Sequence, residues 1–218
     1  MQEAALALPD QIEESMARDL QTDHLPNASD IDQLVVLGMG GSGIAGDIVK
    51  AHKIGCEFVK KSAMQRVEKP FEIVVTTNSG YPLDLNLYQG VKGMSAGARI
   101  LKEGGTLILA AECREGVPGG SPLDKLLRSA GSIEEVLTML STPGFVRPEQ
   151  WQAQIQALVQ QKAEVLVHSL LEEKTVAACH LKSCPDISVE VTRRLNMLGS
   201  EARVAVLPQG PLTIPYLD

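Results

Sequence analysis

Glu72–Ala110 reads EIVVTTNSGYPLDLNLYQGVKGMSAGARILKEGGTLILA. The opening EIVVTT is a short, apolar, β-branched run of the kind that forms a buried strand. Asn78-Ser79-Gly80 breaks it as a turn. From Leu85 to Lys102 the apolar residues fall at helical spacing, and Gly104-Gly105 is expected to end that helix. Thr106–Ala110 (TLILA) then returns as a second buried strand. A strand, a helix and a strand in this order cross over right-handed and leave the two strands parallel.

The same alternation continues outward. Towards the C-terminus, helices are expected over Leu123–Arg128, Ile133–Leu140 and Pro148–Gln161, with Ser132 and Pro148 as start signals. Val165–Val167 follows as a strand, Glu172–Cys179 and Ile187–Leu198 as helices, Gly199 as a stop, and Arg203–Leu207 as a strand. Towards the N-terminus, a helix runs from Pro9 to about Leu20, and a polar stretch, Asp23–Asp32, leads to a strand at Leu34–Leu37. A helix from about Ser42 to Lys61 follows. The pattern predicts an α/β fold: a three-layer, doubly wound sandwich, Rossmann-like or flavodoxin-like, with a mainly parallel sheet of about five strands in one fused domain over residues 1–218. Ligands of such sheets bind at the carboxyl ends of the strands. Those ends are Gly38–Gly43, Asn78–Tyr81, Ala111–Gly116 and His168–Ser169.

Composition agrees with a packed globule. Of 218 residues 44% are hydrophobic but only 3% aromatic, with Trp151 the single Trp, so Leu, Val, Ile and Ala must fill the core. A net charge of -7 with no basic stretch among aromatics argues against nucleic acid as a partner. Met1–Leu20 lacks the pattern of a signal peptide and no apolar run reaches membrane-spanning length, so a cytoplasmic protein is expected. The four cysteines have no CxxC spacing and read as reduced, buried thiols. Cys179, His180 and Cys184 match no zinc pattern, so packing is the expected role and no metal site is assigned.

Gly38-Met39-Gly40-Gly41-Ser42-Gly43 follows a strand and precedes a helix. Its backbone N–H groups and the helix N-terminus suit an anion, with the Ser42 hydroxyl as a further donor. The alternative is a tight turn with no ligand. It is not a Walker A loop. ALALPDQIEE and VVLGMGGSGIAGDI, within about residues 3–48, resemble the N-terminal sugar-isomerase (SIS) domain of bifunctional phosphoglucose/phosphomannose isomerases. That resemblance implies a phosphate-binding role for Gly40, Gly41, Ser42 and Gly43. The family's second phosphate turn, SxSGxT, is not found, nor are its downstream acid and base; Glu112, at the end of the third strand, is the best-placed substitute base, the alternative being a capping or solvated role.

From about residue 45 to 218 the sequence is similar to the C-terminal domain of the nickel-pincer lactate racemase family. The matching stretches are AGDIVKAHKIGCEFVKK, TTNSGYPLDLNLYQGVKGMSAGARILKEGGTLILAAEC and PEQWQAQI. The two resemblances overlap at Ala45–Val49, which reads as a chimera. By residue chemistry alone, Asp84 is expected to cap the helix, and Gln89 and Lys92 lie three apart on one helix face. The resemblance implies that Tyr88, Gln89 and Lys92 bind the carboxylate of a 2-hydroxy acid, with Trp151 closing over it. The alternative is packing for Tyr88 and Trp151 and solvent for Lys92. In that family the lysine that holds the nickel-pincer cofactor, the metal-binding histidine and the two proton-shuttling histidines belong to a separate N-terminal domain. The expectation is therefore a domain without catalytic residues, metal ligands or a cofactor of its own. It would bind a small anion, a 2-hydroxy acid or a phosphate; the alternative is a sugar-phosphate binding protein or isomerase that uses the GMGGSG loop. Oligomerisation is left open.

Overall fold

The computed structural model describes residues 48–217. The chain divides between Glu57 and Phe58. The expected helix from Pro9, the strand Leu34–Leu37 and the loop Gly38–Gly43 lie outside the described residues, as does the expected fusion of the two pieces into one domain.

Helix α1 is Ile48–Ser62, with Lys60 and Lys61 in its last turn, where cations oppose the negative end of the helix dipole. Next come β1 (Met64–Val67), β2 (Phe71–Thr77), α2 (Leu87–Ala98), β3 (Leu101–Ala110), α3 (Pro122–Ser129), α4 (Ile133–Ser141) and α5 (Gln150–Lys162). The chain continues through β4 (Glu164–His168), α6 (Glu173–Ala178), β5 (Lys182–Ser183), α7 (Ile187–Leu198), β6 (Val204–Leu207), a 3-10 turn at Gly210–Leu212 and β7 (Ile214–Leu217).

Five strands form one parallel sheet in the order β5-β4-β3-β2-β6. The chain steps outward from β2 to β5, then returns to the far side of β2 with β6. The winding therefore reverses beside β2, as the doubly wound expectation requires. Alternation along the strands divides the core. Val74, Leu107, Leu109, Val165, Val167 and Leu207 face one large cluster with α2, α3, α4 and α5. Val75, Ile108 and Leu166 face a small cluster covered by Ile187 and Val191 of α7. No residue of α7 is fully buried. Ion pairs fasten it instead: Arg194 pairs with Glu164 on β4 and with Glu190, at 2.7 Å in the latter case, and its Nη1 donates to Thr106 Oγ1 at 2.7 Å.

Three expectations need correction. The helix predicted over Leu85–Lys102 stops at Ala98, and Leu101 and Lys102 already belong to β3. Gly104-Gly105 does not end a helix but makes a bulge: β3 advances from Leu101 to Thr106 while its neighbour advances only from Phe71 to Ile73. Gly104 takes φ +71°, and a Cβ on Gly105 would come within 2.9 Å of the Glu72 carbonyl, so both positions need glycine. The helix predicted from Pro148 begins at Gln150; Glu149 has φ 61°, and its Oε2 accepts from Leu123 N at 3.0 Å at the start of α3. The sequence reading also missed β1, β5 and β7. β1 and β7 form a separate parallel pair, Met64 opposite Ile214 through Val67 opposite Leu217.

Candidate functional site at the carboxyl ends of the strands

The ends of β2, β3, β4 and β6 surround a cleft of about 590 Å³ whose walls include Thr77, Asp84, Ala110, Glu112, His168 and Pro208. Three of the four expected ligand-facing strand ends thus meet in one place; the fourth, Gly38–Gly43, lies outside the described residues. Parallel strands deliver their last residues to one edge, so a single crevice collects groups distant in sequence.

The turn after β2 is built around Asn78, which is fully buried. Its Oδ1 accepts from Gly93 N at 3.1 Å, and its amide donates to the Leu83 carbonyl. Ser79 and Gly80 follow with φ 65° and 70°. Thr77 Oγ1 donates to Pro208 O at 2.6 Å and accepts from Ser79 N at 3.0 Å, tying β2 to the loop after β6.

Asp84 was expected to cap α2; that position belongs to Asn86, whose side chain accepts from Gln89 N at 3.1 Å. Asp84 is buried and joins the ends of β2 and β3 instead. Its Oδ2 accepts from Glu112 N at 3.2 Å and its carbonyl from Cys113 N at 2.8 Å. Its Oδ1 and the Ser79 hydroxyl are buried without a partner. Cys113 has φ 52°, and its thiol is pushed up to about 12 by burial first and then by the negative charges of Asp84 and Glu112. Positive backbone angles and unmatched polar atoms thus gather around one cleft, as they do at sites shaped for a ligand.

The two carboxylate and imidazole groups on the rim already have partners. Glu112 pairs with Arg114 at 2.6 Å, and Arg114 lies 5.3 Å from the centre of the Tyr81 ring. His168 Nδ1 lies 2.8 Å from the Cys184 carbonyl. Glu112, suggested as a substitute base, is therefore one half of an exposed ion pair.

Tyr88, Gln89, Lys92 and Trp151 do not line this cleft. They belong to α2 and α5, which pack together. Gln152, the neighbour of Trp151, is buried and its amide donates to the Tyr88 carbonyl at 2.5 Å, so the first turns of the two helices are fastened side by side. Tyr88 and Gln89 are half-buried and Lys92 is exposed. Trp151 is 53% exposed, too open for a packing residue. Gly93, next to Lys92, seats this helix against the strand end: a Cβ there would come within 2.8 Å of the Thr77 carbonyl.

Cys179 and Cys184 lie in different core clusters, and His180 Nε2 is 2.9 Å from the Leu127 carbonyl, so these three residues do not converge. Among the described residues no three His, Cys, Asp or Glu side chains are grouped as metal ligands. Cys113, Cys179 and Cys184 are buried as expected, but Cys56 is exposed. No helix of the described residues is long and apolar enough to cross a membrane.

The comparisons with known proteins bear on the fold and the family. Residues 67–214 match the lactate racemase C-terminal domain. A lactate racemase of Thermoanaerobacterium thermosaccharolyticum is 35% identical over 170 residues, which is 76% of this chain and 39% of that protein. One of Lactiplantibacillus plantarum is 36% identical over the same shares. The chain thus spans about two fifths of the length of these relatives. The structure of the lactate racemase apoprotein from T. thermosaccharolyticum superposes with a TM-score of 0.71 at 33% identity, covering 79% of this chain and 42% of that one. A protein from Thermotoga maritima shares the fold at 14% identity, with a TM-score of 0.54 over 78% of this chain and 43% of its own. A domain match over most of the described residues, on a five-stranded parallel sheet of the same architecture, places the chain in the lactate racemase C-terminal domain family.

Proposed function

We propose that this chain is the substrate-side part of a lactate racemase-like protein and holds the carboxylate of a small 2-hydroxy acid without racemising it by itself. The observation that carries the reading is the coupled pair of helix starts. The Gln152–Tyr88 hydrogen bond joins the start of α5, the helix that carries the exposed Trp151, to the start of α2, the helix that carries Gln89 and Lys92. Lys92 forms no ion pair among the described residues. An ammonium and an amide on one helix face offer charge-assisted and neutral donors to a carboxylate, and an open indole gives it an apolar cover.

In the resembled family the lysine and the histidine that hold the nickel-pincer cofactor belong to a separate N-terminal domain, and the described residues bring no three His, Cys, Asp or Glu side chains together. In this reading they bind and orient, and the proton transfers belong to groups outside them. Sugar-phosphate binding at Gly40, Gly41, Ser42 and Gly43 is the alternative; it rests on sequence outside the described residues and outside the matched domain.

Titration of the 218-residue protein with L- and D-lactate, followed by calorimetry and by the fluorescence of its single Trp151, tests the proposal. Saturable binding is expected, weakened roughly tenfold or more by Lys92→Ala through loss of a charge-assisted hydrogen bond. Binding that Lys92→Ala and Trp151→Ala leave unchanged refutes it.

A further inference from the structure

Away from the strand ends, α3 and the segment before α5 enclose a second cavity of about 480 Å³. Lys125, Leu126 and Ser129 reach it from one face of α3, and Met139, Phe145 and Arg147 face them. The walls are mostly apolar, and the charged groups that line them are two cations with no carboxylate. Neither Lys125 nor Arg147 forms an ion pair among the described residues. Arg147 does not swing free: its guanidinium lies 5.1 Å from the centre of the Phe145 ring, and Nη1 donates to the Val146 carbonyl at 3.0 Å. A cation is thereby held against the aromatic wall of an apolar hollow.

We propose that this cavity is a binding site for a small free carboxylate with a medium-length hydrocarbon body, its chain against Leu126, Met139 and Phe145 and its head group between Lys125 and Arg147. The volume lies within the range of about 300–1,000 Å³ typical of small-molecule sites, and a few polar groups over an apolar lining are their usual chemistry. Two unpaired cations select an anion, and the apolar walls select a body that gains by leaving water. Lactate lacks such a body, so this site and the one on α2 and α5 differ in what they bind.

Calorimetric titration of the 218-residue protein with octanoate, 1-octanol and lactate, with Lys92→Ala in the background, separates the two sites. One octanoate per chain is expected, with 1-octanol at least about tenfold weaker, and Lys125→Ala and Arg147→Ala each costing about tenfold, the effect of one lost charge-assisted contact. Lys174→Ala, on the exposed face of α6, should leave octanoate binding unchanged. Lys125 and Arg147 are exposed, so a melting temperature equal to that of the parent shows that each variant is folded. Ser129→Trp, which fills the cavity from an exposed position, should abolish binding. Absence of octanoate binding, equal binding of 1-octanol, or indifference to both cation variants overturns the assignment. So does capture of an apolar acidic peptide where octanoate fails.

Discussion

Replacing Gly210 by alanine tests the crossing where β2, α2 and the 3-10 turn meet. A Cβ at Gly210 would lie 2.4 Å from both Thr76 Oγ1 and the Thr77 carbonyl, and 3.2 Å from Gly93 Cα. Carbon and oxygen atoms touch without strain at roughly 3.4 Å, so about 1 Å of room is missing against two atoms. One of them is backbone. The other belongs to a buried hydroxyl 3.3 Å from the Gly93 carbonyl and cannot simply turn away. Gly210 does not need a positive φ, so the penalty is steric alone. Overpacking of this kind costs roughly 3 kcal/mol at the upper end of its usual range. Lower entropy of the unfolded alanine chain offsets about 0.5–1 kcal/mol. The net loss is about 2 kcal/mol, or roughly 4–8 °C in melting temperature for a domain of this size. Thermal denaturation followed by far-ultraviolet circular dichroism measures it. A Gly210→Ala melt within about 1 °C of the parent refutes the close crossing and, with it, the seating of α2 at Gly93 against the strand end.

Three other outcomes follow from particular contacts. Asp84→Ala should lower stability by about 1 kcal/mol or somewhat more, because it strands the part-buried Glu112 N–H. Asp84→Asn keeps an acceptor and removes a buried charge, so denaturant melts should show it near the parent, with the Cys113 thiol titrating lower. In the native protein a thiol reagent should label Cys56 fast among the described cysteines and the others only on unfolding, since burial raises Cys113 to about 12 and Cys179 to about 11; equal rates would contradict the packing. Hydrogen bonds from Arg193, helped by Arg194, hold Glu190 down at about 2 against an ordinary 4.5. A depressed carboxylate contributes stability above its unfolded value and loses it as pH falls through the folded one. Urea melts should therefore weaken between about pH 4.5 and 2, and Glu190→Gln should flatten that slope by on the order of 1–2 kcal/mol after solvent screening.

Much of the fold was legible because its central strands carry buried apolar runs. EIVVTT, TLILA and VLV carry no polar alternation, and the helices between them are marked by Ser132 and Gly199 at their ends. What was missed had the opposite character. MQRV in β1 is half charged or polar, and IPYL in β7 contains Pro215, which a sequence reader demotes from strand because it cannot donate; both tolerate this only because each pairs on one side. The glycine pair at Gly104-Gly105 signals a break equally well for a helix end and for a bulge, and only the neighbouring strand decides. At the site, strand ends were readable from topology, but the hydrogen bonds of Asp84 run to Glu112 and Cys113, about thirty positions away, where no local spacing reveals them. Tyr88, Gln89, Lys92 and Trp151 were named from family resemblance; the hydrogen bond that joins the starts of their helices comes from an amide, Gln152, that no pattern singled out.

The β1–β7 pair has a mechanical meaning. β1 stands near the start of the Phe58–Asp218 segment and β7 at its end, and the two run parallel over four residue pairs, with Ile214 N also donating to the Ala63 carbonyl at 2.8 Å. A pull that separates the two ends of this segment acts on opposite tips of parallel strands. The rungs between them are then loaded in shear, all sharing the tension, rather than opened one after another like a zip. Force applied along the chain meets this short clasp before it reaches the central sheet, so the strand ends that form the cleft keep their positions until the clasp yields.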